Sequence, residues 1–210
     1  NTTNGYNTAV GFESLKVNTT GNKNTAVGRK SLLSNTTGIE NVAVGYDCLD
    51  ANTTASGNTA IGKSALGANT TGASNTSVGK SALQLNTTGG SNTASGFEAL
   101  RYNTTGAQNT AVGQGALLAS TTSSYNVAIG QAASGSNTTG DSNVSVGQAA
   151  LYYNTTGQYI TAIGRNALTA SATGSNSTAI GFESLKATVS TSTAYGNTAI
   201  GKSSGYNITT

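Results

Sequence analysis

The stretch NTAVGRKSLLSNTTGIE, residues 24–40, decides the fold of this chain because the chain repeats it, with small changes, along its length. The next segment, NVAVGYDCLDANTTASG at 41–57, keeps similar residue types in the same order. The glycine that closes the apolar segment marks each copy, and its spacing is 17 residues ten times and 20 residues once: Gly11, Gly28, Gly45, Gly62, Gly79, Gly96, Gly113, Gly130, Gly147, Gly164, Gly181 and Gly201. A short, fixed period predicts stacked structural units that are nearly identical.

The residue before each glycine forms a column that we call the valine column. It is β-branched and apolar in all copies but one: Val10, Val27, Val44, Ile61, Val78, Val112, Ile129, Val146, Ile163, Ile180 and Ile200, with Ser95 as the exception. Such residues favour strands, in which side chains alternate between two faces. We therefore predict that the valine column fills the interior of each coil. The other face, an alanine column that begins with Ala9 and Ala26, is small enough for another backbone to approach closely.

A second apolar column, the leucine column, stands four residues after the glycine. Its members are Leu15, Leu32, Leu49, Leu66, Leu83, Leu100, Leu117, Leu151, Leu168 and Leu185, with Ser134 and Gly205 as exceptions. No Lys, Arg, Asp or Glu enters the valine, alanine or leucine columns. This separation is expected of a folded repeat, so both large apolar columns are predicted to be structural core.

The NTTG segment of each repeat predicts a turn, because Asn tolerates the left-handed backbone region and Gly enters it freely. In a stack of coils, equivalent asparagines lie above one another and their side-chain amides can form hydrogen-bonded ladders. The sequence predicts two such ladders, one beginning at Asn7 and the other at Asn18.

Together these patterns predict an all-β fold, a parallel β-solenoid or β-roll in which each repeat forms one coil. Residues 1–210 are predicted to be a single repeat domain and a fragment of a longer fibre. Twelve coils at about 4.8 Å per strand would extend about 55–60 Å. Two stretches break the pattern: residues 120–125 lose the Asn and the Gly of the turn, and residues 187–196 carry the three-residue excess. We predict irregular turns at both places, which are the second candidate recognition elements.

Composition excludes several classes of function. Only 8% of the residues are charged, the net charge is +3, and the chain contains no His. The cations are scattered, so we expect no nucleic-acid partner, and no apolar run is long enough for membrane insertion by this segment. Without His or recurring carboxylate pairs, we predict that the chain is not an enzyme and has no cofactor or metal. Cys48 is predicted to be a small packing residue.

Each coil buries few large apolar side chains for the length of backbone that it orders. A single column of coils should therefore be marginally stable, and we expect a homotrimer about a common axis, with the alanine column facing the sister chains.

The segments NTAVG at 7–11, NTAIG at 58–62 and NVAIG at 126–130 resemble the head repeats of trimeric autotransporter adhesins, whose motif is N-S-V-A-I-G. The longer pattern AVGxxALxxNTTG resembles repeats of bacteriophage tail fibres and related bacterial surface fibres. The resemblance implies a left-handed parallel β-roll, assembled as a trimer, that serves adhesion or host recognition outside the cell. Its receptor would be a cell-surface glycan or protein. The chain departs from the adhesin motif at Thr8 and Thr25, where valine is usual, and in its 17-residue period.

Aromatic residues occur only in the variable columns. Tyr152, Tyr153 and Tyr159 are the densest group and form our candidate contact patch, with Tyr125 and Tyr195 as further candidates. Exposed tyrosines suit this role because their rings offer large, rigid faces to sugars or proteins.

An alternative function is a monomeric ice-binding solenoid with regular threonine rows. Thr8 and Thr25 begin such a row, but it shares a strand face with the valine column, which is predicted to point inward. Thr19 and Thr20 are adjacent, so their side chains should point to opposite sides. The fibre interpretation is therefore preferred. The NTT segments are also formal acceptors for N-glycosylation, although turn chemistry explains the same residues.

Overall fold

The computed structural model describes residues 5–186 and 196–206, which form one parallel sheet of twelve short strands. The strands are β1 (Thr8–Val10), β2 (Thr25–Val27), β3 (Val42–Val44), β4 (Thr59–Ile61), β5 (Thr76–Val78), β6 (Thr93–Ser95), β7 (Thr110–Val112), β8 (Val127–Ile129), β9 (Val144–Val146), β10 (Thr161–Ile163), β11 (Thr178–Ile180) and β12 (Thr198–Ile200). Their order in the sheet is their order in the chain. The predicted all-β parallel solenoid with a 17-residue spacing is confirmed.

The coils stack in register, which means that equivalent positions of successive repeats lie beside one another in the strands and in the turns. In the sheet, Thr8 lies beside Thr25 and Val10 beside Val27. The turns continue the pattern outside the sheet: the Leu32 amide donates to the Cys48 carbonyl at 3.0 Å, and the Thr36 amide donates to the Thr53 carbonyl at 2.9 Å. Backbone hydrogen bonds between successive coils therefore run along the rod in the turns as well as in the strands.

The interior of each coil is built from six repeat positions. These are the alanine column, the leucine column, the small residue before each leucine, the two asparagines and the glycine of the turn. Most members of the leucine column have no exposed surface, and Leu15 keeps only 5%. The prediction that this column is core is confirmed.

The prediction that the valine column fills the coil interior is wrong. Its members lie on the outer face of the sheet, where Ile61 is 41% exposed and Ile129 is also 41% exposed, whereas Ala60 and Ala128 beside them are fully buried. The reason is the width of the coil. A leucine from the opposite wall already fills the interior, and close packing leaves room for only a methyl or hydroxymethyl group on the strand. The alanine column is therefore turned inward, away from any sister chain.

The turns depend on an unusual backbone conformation. Three positions in a typical coil place non-glycine residues in the left-handed region, including the leucine column, where φ is 50° at Leu32 and 49° at Leu83. This conformation costs about 1–2 kcal/mol for a residue with a side chain. Burial of the leucine and the hydrogen bond of its amide to the next coil offset that cost in the repeats that carry a leucine.

Both predicted asparagine ladders are present. In the ladder next to the strands, the backbone N–H of Asn41 donates to the side-chain Oδ1 of Asn24 at 3.0 Å. In the turn ladder, Nδ2 of Asn69 donates to Oδ1 of Asn52 at 3.1 Å. The asparagines of the NTT segments are thus buried and bonded through the same nitrogen that would carry a glycan. An N-linked glycan on the folded chain would break the turn ladder.

The predicted irregular turn at 120–125 is wrong, because the coil keeps the regular conformation there. Ser120 and Ser123 replace Asn and Gly, and their hydroxyls lie 2.6 Å apart inside the coil. The Thr121 amide still donates to the Thr138 carbonyl, at 3.0 Å. The cost of the replacement is local: Oδ1 of Asn103, which would accept from an asparagine at position 120, has no hydrogen-bond partner in the described part of the chain. Of the second predicted irregular turn, residues 187–195 lie outside the described part of the chain.

Restoring the repeat at this point should stabilise the protein. We expect the double variant Ser120→Asn/Ser123→Gly to raise the free energy of unfolding by about 1–3 kcal/mol, because the new Nδ2 satisfies Oδ1 of Asn103. Denaturant unfolding measures the change. Ser123→Gly alone is the control: it removes the hydroxyl that accepts from Nδ2 of Asn137 without giving Asn103 a donor, so it should destabilise the chain. A double variant no more stable than the parent would contradict the ladder explanation.

Cys48 lies in the inner column before the leucines, where its thiol donates to the Ala60 carbonyl at 3.2 Å. Burial raises the pKa of this thiol to about 12. The pKa of the Cys48 thiol is therefore higher in the folded chain than the roughly 8.5 of a free thiol. Burial of the neutral thiol contributes fully to the free energy of unfolding at pH values below the free-thiol pKa. This contribution is then lost as the pH rises toward the folded value, by about 1.4 kcal/mol per pH unit.

We therefore expect alkaline pH to destabilise the parent more than Cys48→Ser. The serine variant is a matched control because Ser31 occupies the equivalent position and donates to the Ala43 carbonyl at 2.8 Å. The difference between their unfolding free energies should stay constant from neutral pH to the free-thiol pKa and then grow with pH over about the next two units. Parallel pH profiles would show that the thiol does not titrate on unfolding.

Candidate functional site

The outer face of the sheet carries two parallel files of side chains, which we call the threonine–valine stripe. One file is the valine column. The other is the residue two places earlier: Thr8, Thr25, Val42, Thr59, Thr76, Thr93, Thr110, Val127, Val144, Thr161, Thr178 and Thr198. Strand geometry separates neighbours by about 4.8 Å along each file and the two files by about 6.6–7 Å. The stripe contains no charged residue and follows the sheet through all its strands.

One edge of the stripe is formed by the residues that directly follow the column of glycines. Cations and aromatic rings are neighbours at several places there: the Arg29 guanidinium lies 5.1 Å from the centroid of the Tyr46 ring, and its Nη1 donates to the Tyr46 hydroxyl at 2.6 Å. The Lys80 ammonium lies 5.5 Å from the centroid of the Phe97 ring. Exposed contacts of this kind contribute about 0.5–1 kcal/mol each. They hold long side chains in fixed positions along the edge.

Beyond this edge the surface contains a recess with a volume of about 180 Å³. We call it the Tyr152 recess, and it is lined by Phe97, Glu98, Gln114, Gly115, Leu118, Gln131, Ala132, Gly135 and Tyr152. None of these residues belongs to the threonine–valine stripe. The two surfaces therefore use different side chains.

The recess exists because two coils lack side chains that other coils have. The second residue after the glycine is Glu13 or Lys30 in the first coils but Gly115 and Ala132 here. A side chain added at Gly115 would have nothing within 4 Å of its Cβ. Gly135, three residues after Ala132, leaves a second gap. Three small residues in two adjacent coils thus open a depression in the surface.

Aromatic rings bound the recess at both ends. The Tyr152 ring lies against the backbone of Gly135, where an added Cβ would come 2.8 Å from its Cε2 atom. Phe97 belongs to a coil on the other side of the recess. Lys80, whose ammonium lies over the Phe97 ring, belongs to the coil before that of Phe97. The recess extends over the coils that follow Phe97. The recess therefore has an aromatic residue at each end along the rod.

Apart from the Tyr152 hydroxyl, the polar side chains that line the recess carry two carboxamides and one carboxylate that forms an ion pair. Oε1 of Gln131 accepts from Nε2 of Gln148 at 3.0 Å, which leaves the Gln131 nitrogen to donate elsewhere. Gln114 occupies the same column one coil earlier. Glu98 is paired with Nη1 of Arg101 at 2.6 Å. No Lys or Arg lines the recess.

A larger groove of about 400 Å³ lies nearer the start of the chain and contains two carboxylates, Asp47 and Asp50. Burial, and then the nearby Asp47, raise the pKa of Asp50. Oδ1 of Asp47 has no hydrogen-bond partner among the described residues. Within residues 5–186 and 196–206, no group of three or more His, Cys, Asp or Glu side chains is arranged to hold a metal ion.

The structure divides the predicted contact patch. Tyr152 lines the recess, and Tyr153 meets it edge-on with ring centroids 4.8 Å apart. Tyr159 makes no ring contact with either of them among the described residues, and it lies in the column of Tyr125, two coils further along the chain. Both of these tyrosines are exposed. Tyr195 lies outside the described residues.

Sequence reasoning missed the other residues of the recess. Phe97, Gln114 and Gln131 share one column with each other but not with Tyr152, so only the stacked structure brings them together. The available signal was the run of small residues at Gly115, Ala132 and Gly135 in columns that carry long side chains elsewhere.

Comparison with models of known protein families, with curated proteins and with solved structures found no match to this chain. The described residues form no helix that could cross a membrane. Function must therefore be inferred from the solenoid and its two surfaces.

Proposed function

We propose that this chain is a structural and adhesive segment of an extracellular fibre, in which a stiff β-solenoid displays contact groups for a cell-surface glycan or protein. It acts as a homotrimer and catalyses no reaction. It neither binds nucleic acid nor inserts into a membrane. The resemblance of its repeats to those of trimeric autotransporter adhesins and phage tail fibres supports this proposal.

The observation that carries the proposal is the outward valine column. Its aliphatic side chains form an apolar file along the sheet that only Ser95 interrupts among the described strands, and Val78, Val112 and Ile163 are each more than a third exposed. Long exposed apolar surfaces on soluble proteins mark sites of association. Since the stripe carries no charge and lies on strands that pair in register, it suits lateral packing of identical rods.

Sedimentation equilibrium tests this assembly. We expect a mass about three times the 20.7 kDa of one chain. The variant Ile61→Lys/Ile129→Lys should dissociate it, because it places unpaired charges in the contact. Thr71→Lys is the control, since this exposed threonine belongs to a turn and not to the stripe. A parent chain that sediments as a monomer at tens of micromolar would refute the trimeric fibre.

A second candidate function, a monomeric ice-binding solenoid, is favoured by the same face. From the sequence, ice binding was disfavoured because the threonine row shares a strand face with the valine column, which was predicted to point inward. In the structure that face points outward, so this objection no longer holds. The stripe is a regular array of hydroxyl and methyl groups, interrupted at positions such as Ser95 and Val127. The two functions compete for one surface, because a stripe covered by sister chains cannot contact ice. A monomer with thermal hysteresis supports ice binding, and a trimer without hysteresis supports the fibre.

A further inference from the structure

We infer that the Tyr152 recess binds a single neutral pyranose residue of a glycan. This inference rests on the proposed adhesive function, which it deepens by naming the class of ligand and the residues that receive it.

The size of the recess limits its occupant. Its volume of about 180 Å³ is below the range of about 300–1,000 Å³ typical of sites for drug-sized molecules. One sugar ring fits this space, whereas a peptide segment with several side chains does not. The rest of a glycan would extend along the surface of the rod.

The two aromatic residues supply the apolar contacts that a pyranose needs. One face of such a ring presents C–H groups, which pack on the faces of aromatic side chains. Tyr152 offers its ring from one end of the recess and Phe97 from the other. The packing of Tyr152 on Gly135, and the Lys80 ammonium over Phe97, fix both rings before a ligand arrives. Binding then loses little side-chain entropy.

The carboxamides of Gln114 and Gln131 match the hydroxyl groups of the same ligand. A carboxamide offers two donor hydrogens and one acceptor oxygen, so it can bond two neighbouring hydroxyls. In Gln131 the oxygen is engaged by Gln148, which fixes the amide orientation and directs its nitrogen to act as donor.

The charges select a neutral sugar. The only ionised side chain in the lining is Glu98, whose carboxylate is already paired with Arg101. With no cation in the lining, a carboxylated or sulfated sugar would lose hydration without gaining an opposite charge. Sialic acid and uronic acids are therefore excluded, and neutral hexoses or N-acetylhexosamines are accepted.

Titration of the ¹⁵N-labelled chain, followed by amide NMR, tests the inference. The probes are the methyl glycosides of glucose, galactose, mannose and N-acetylglucosamine, each at tens of millimolar, with methyl sialoside as the anionic comparison. We expect saturable shifts of the Gly115 and Gly135 amides with at least one neutral glycoside, a Kd in the millimolar range, and no shift with the sialoside.

Three variants locate the binding. Gly115→Lys fills the recess, and it should fold because Lys30 occupies the equivalent position with φ of 58°. We expect it to abolish binding, and Tyr152→Ala to weaken binding by about tenfold. Tyr159→Ala, which removes an exposed tyrosine outside the recess, should bind like the parent.

The inference is overturned if none of the neutral glycosides shifts the glycine amides, or if Gly115→Lys binds as well as the parent. Neither result affects the proposed fibre, which is tested by sedimentation. Conversely, a monomeric chain that binds a neutral glycoside through Tyr152 would refute the trimer and keep the recess as a sugar site.

Discussion

Gly79→Ala should destabilise this solenoid by about 2–6 kcal/mol, enough to unfold a marginal protein. Two causes add. The φ angle of Gly79 is 133°, a region that residues with side chains rarely adopt. In addition, an alanine Cβ would lie 2.4 Å from the carbonyl oxygen and 2.7 Å from the carbonyl carbon of Gly96 in the next coil.

The next coil cannot move aside cheaply. The Gly96 amide donates to the Val78 carbonyl at 2.8 Å, and the glycines before and after Gly79 make equally close approaches. Relief of the clash would therefore separate two coils and break hydrogen bonds on both sides of the substitution.

Chemical denaturation followed by far-ultraviolet circular dichroism measures the effect. Gly57→Ala is the matched control, because its φ of 70° is close to the 57° of Glu40 at the equivalent position and the nearest atom to an added Cβ is 3.7 Å away. We expect the control to change stability by less than about 1 kcal/mol. If the two variants unfold at the same denaturant concentration, close coil approach is not what requires the glycine.

Asn69→Leu should cost about 2–5 kcal/mol, the second large effect. The Asn69 side chain is fully buried and serves three partners. Its Nδ2 donates to Oδ1 of Asn52 at 3.1 Å and to the Gly72 carbonyl at 2.9 Å, and its Oδ1 accepts from Nδ2 of Asn86 at 2.8 Å. Leucine has the same branched shape but is larger, so it crowds the coil interior; it also bonds none of these partners and leaves Oδ1 of Asn52 buried without a donor.

The comparison is Asn22→Leu, at a half-exposed asparagine of the turn that is not part of either ladder. It should change the free energy of unfolding by less than about 0.5 kcal/mol, as surface substitutions usually do. Equal losses in the two variants would show that the ladder contributes nothing beyond an ordinary asparagine. The same denaturation experiment gives both values.

Much of the fold was predictable because the glycine recurs twelve times in the sequence and the other features of the repeat recur in most copies. The period located every strand, the leucine column identified part of the core, and the asparagines of the turn predicted the ladders. The direction of the strand faces was not predicted correctly, because hydrophobicity alone favours burial of Val44 over Ala43. A size argument gives the right answer: the alanine column admits only Ala and Ser, as expected where space is limited.

The recess was only partly predictable. Tyr152 attracted notice because exposed aromatic residues are conspicuous in a sequence. Gly115 and Gly135 did not, since they contribute by leaving space, and a run of small residues indicates a recess only when the direction of the neighbouring side chains is known. The contact between Gly135 and the Tyr152 ring joins two coils, so it depends on tertiary structure.

The strands pair strictly in chain order, so each coil contacts only the coil before it and the coil after it. The two contacts use equivalent repeat positions. Deleting one whole 17-residue unit would join two surfaces that already fit, and duplicating one would insert a coil without disturbing the rest. The gene can therefore lengthen or shorten the rod in steps of about 4.8 Å by unequal recombination. A step outside the coils of the Tyr152 recess would move the recess along the rod and leave its lining residues unchanged.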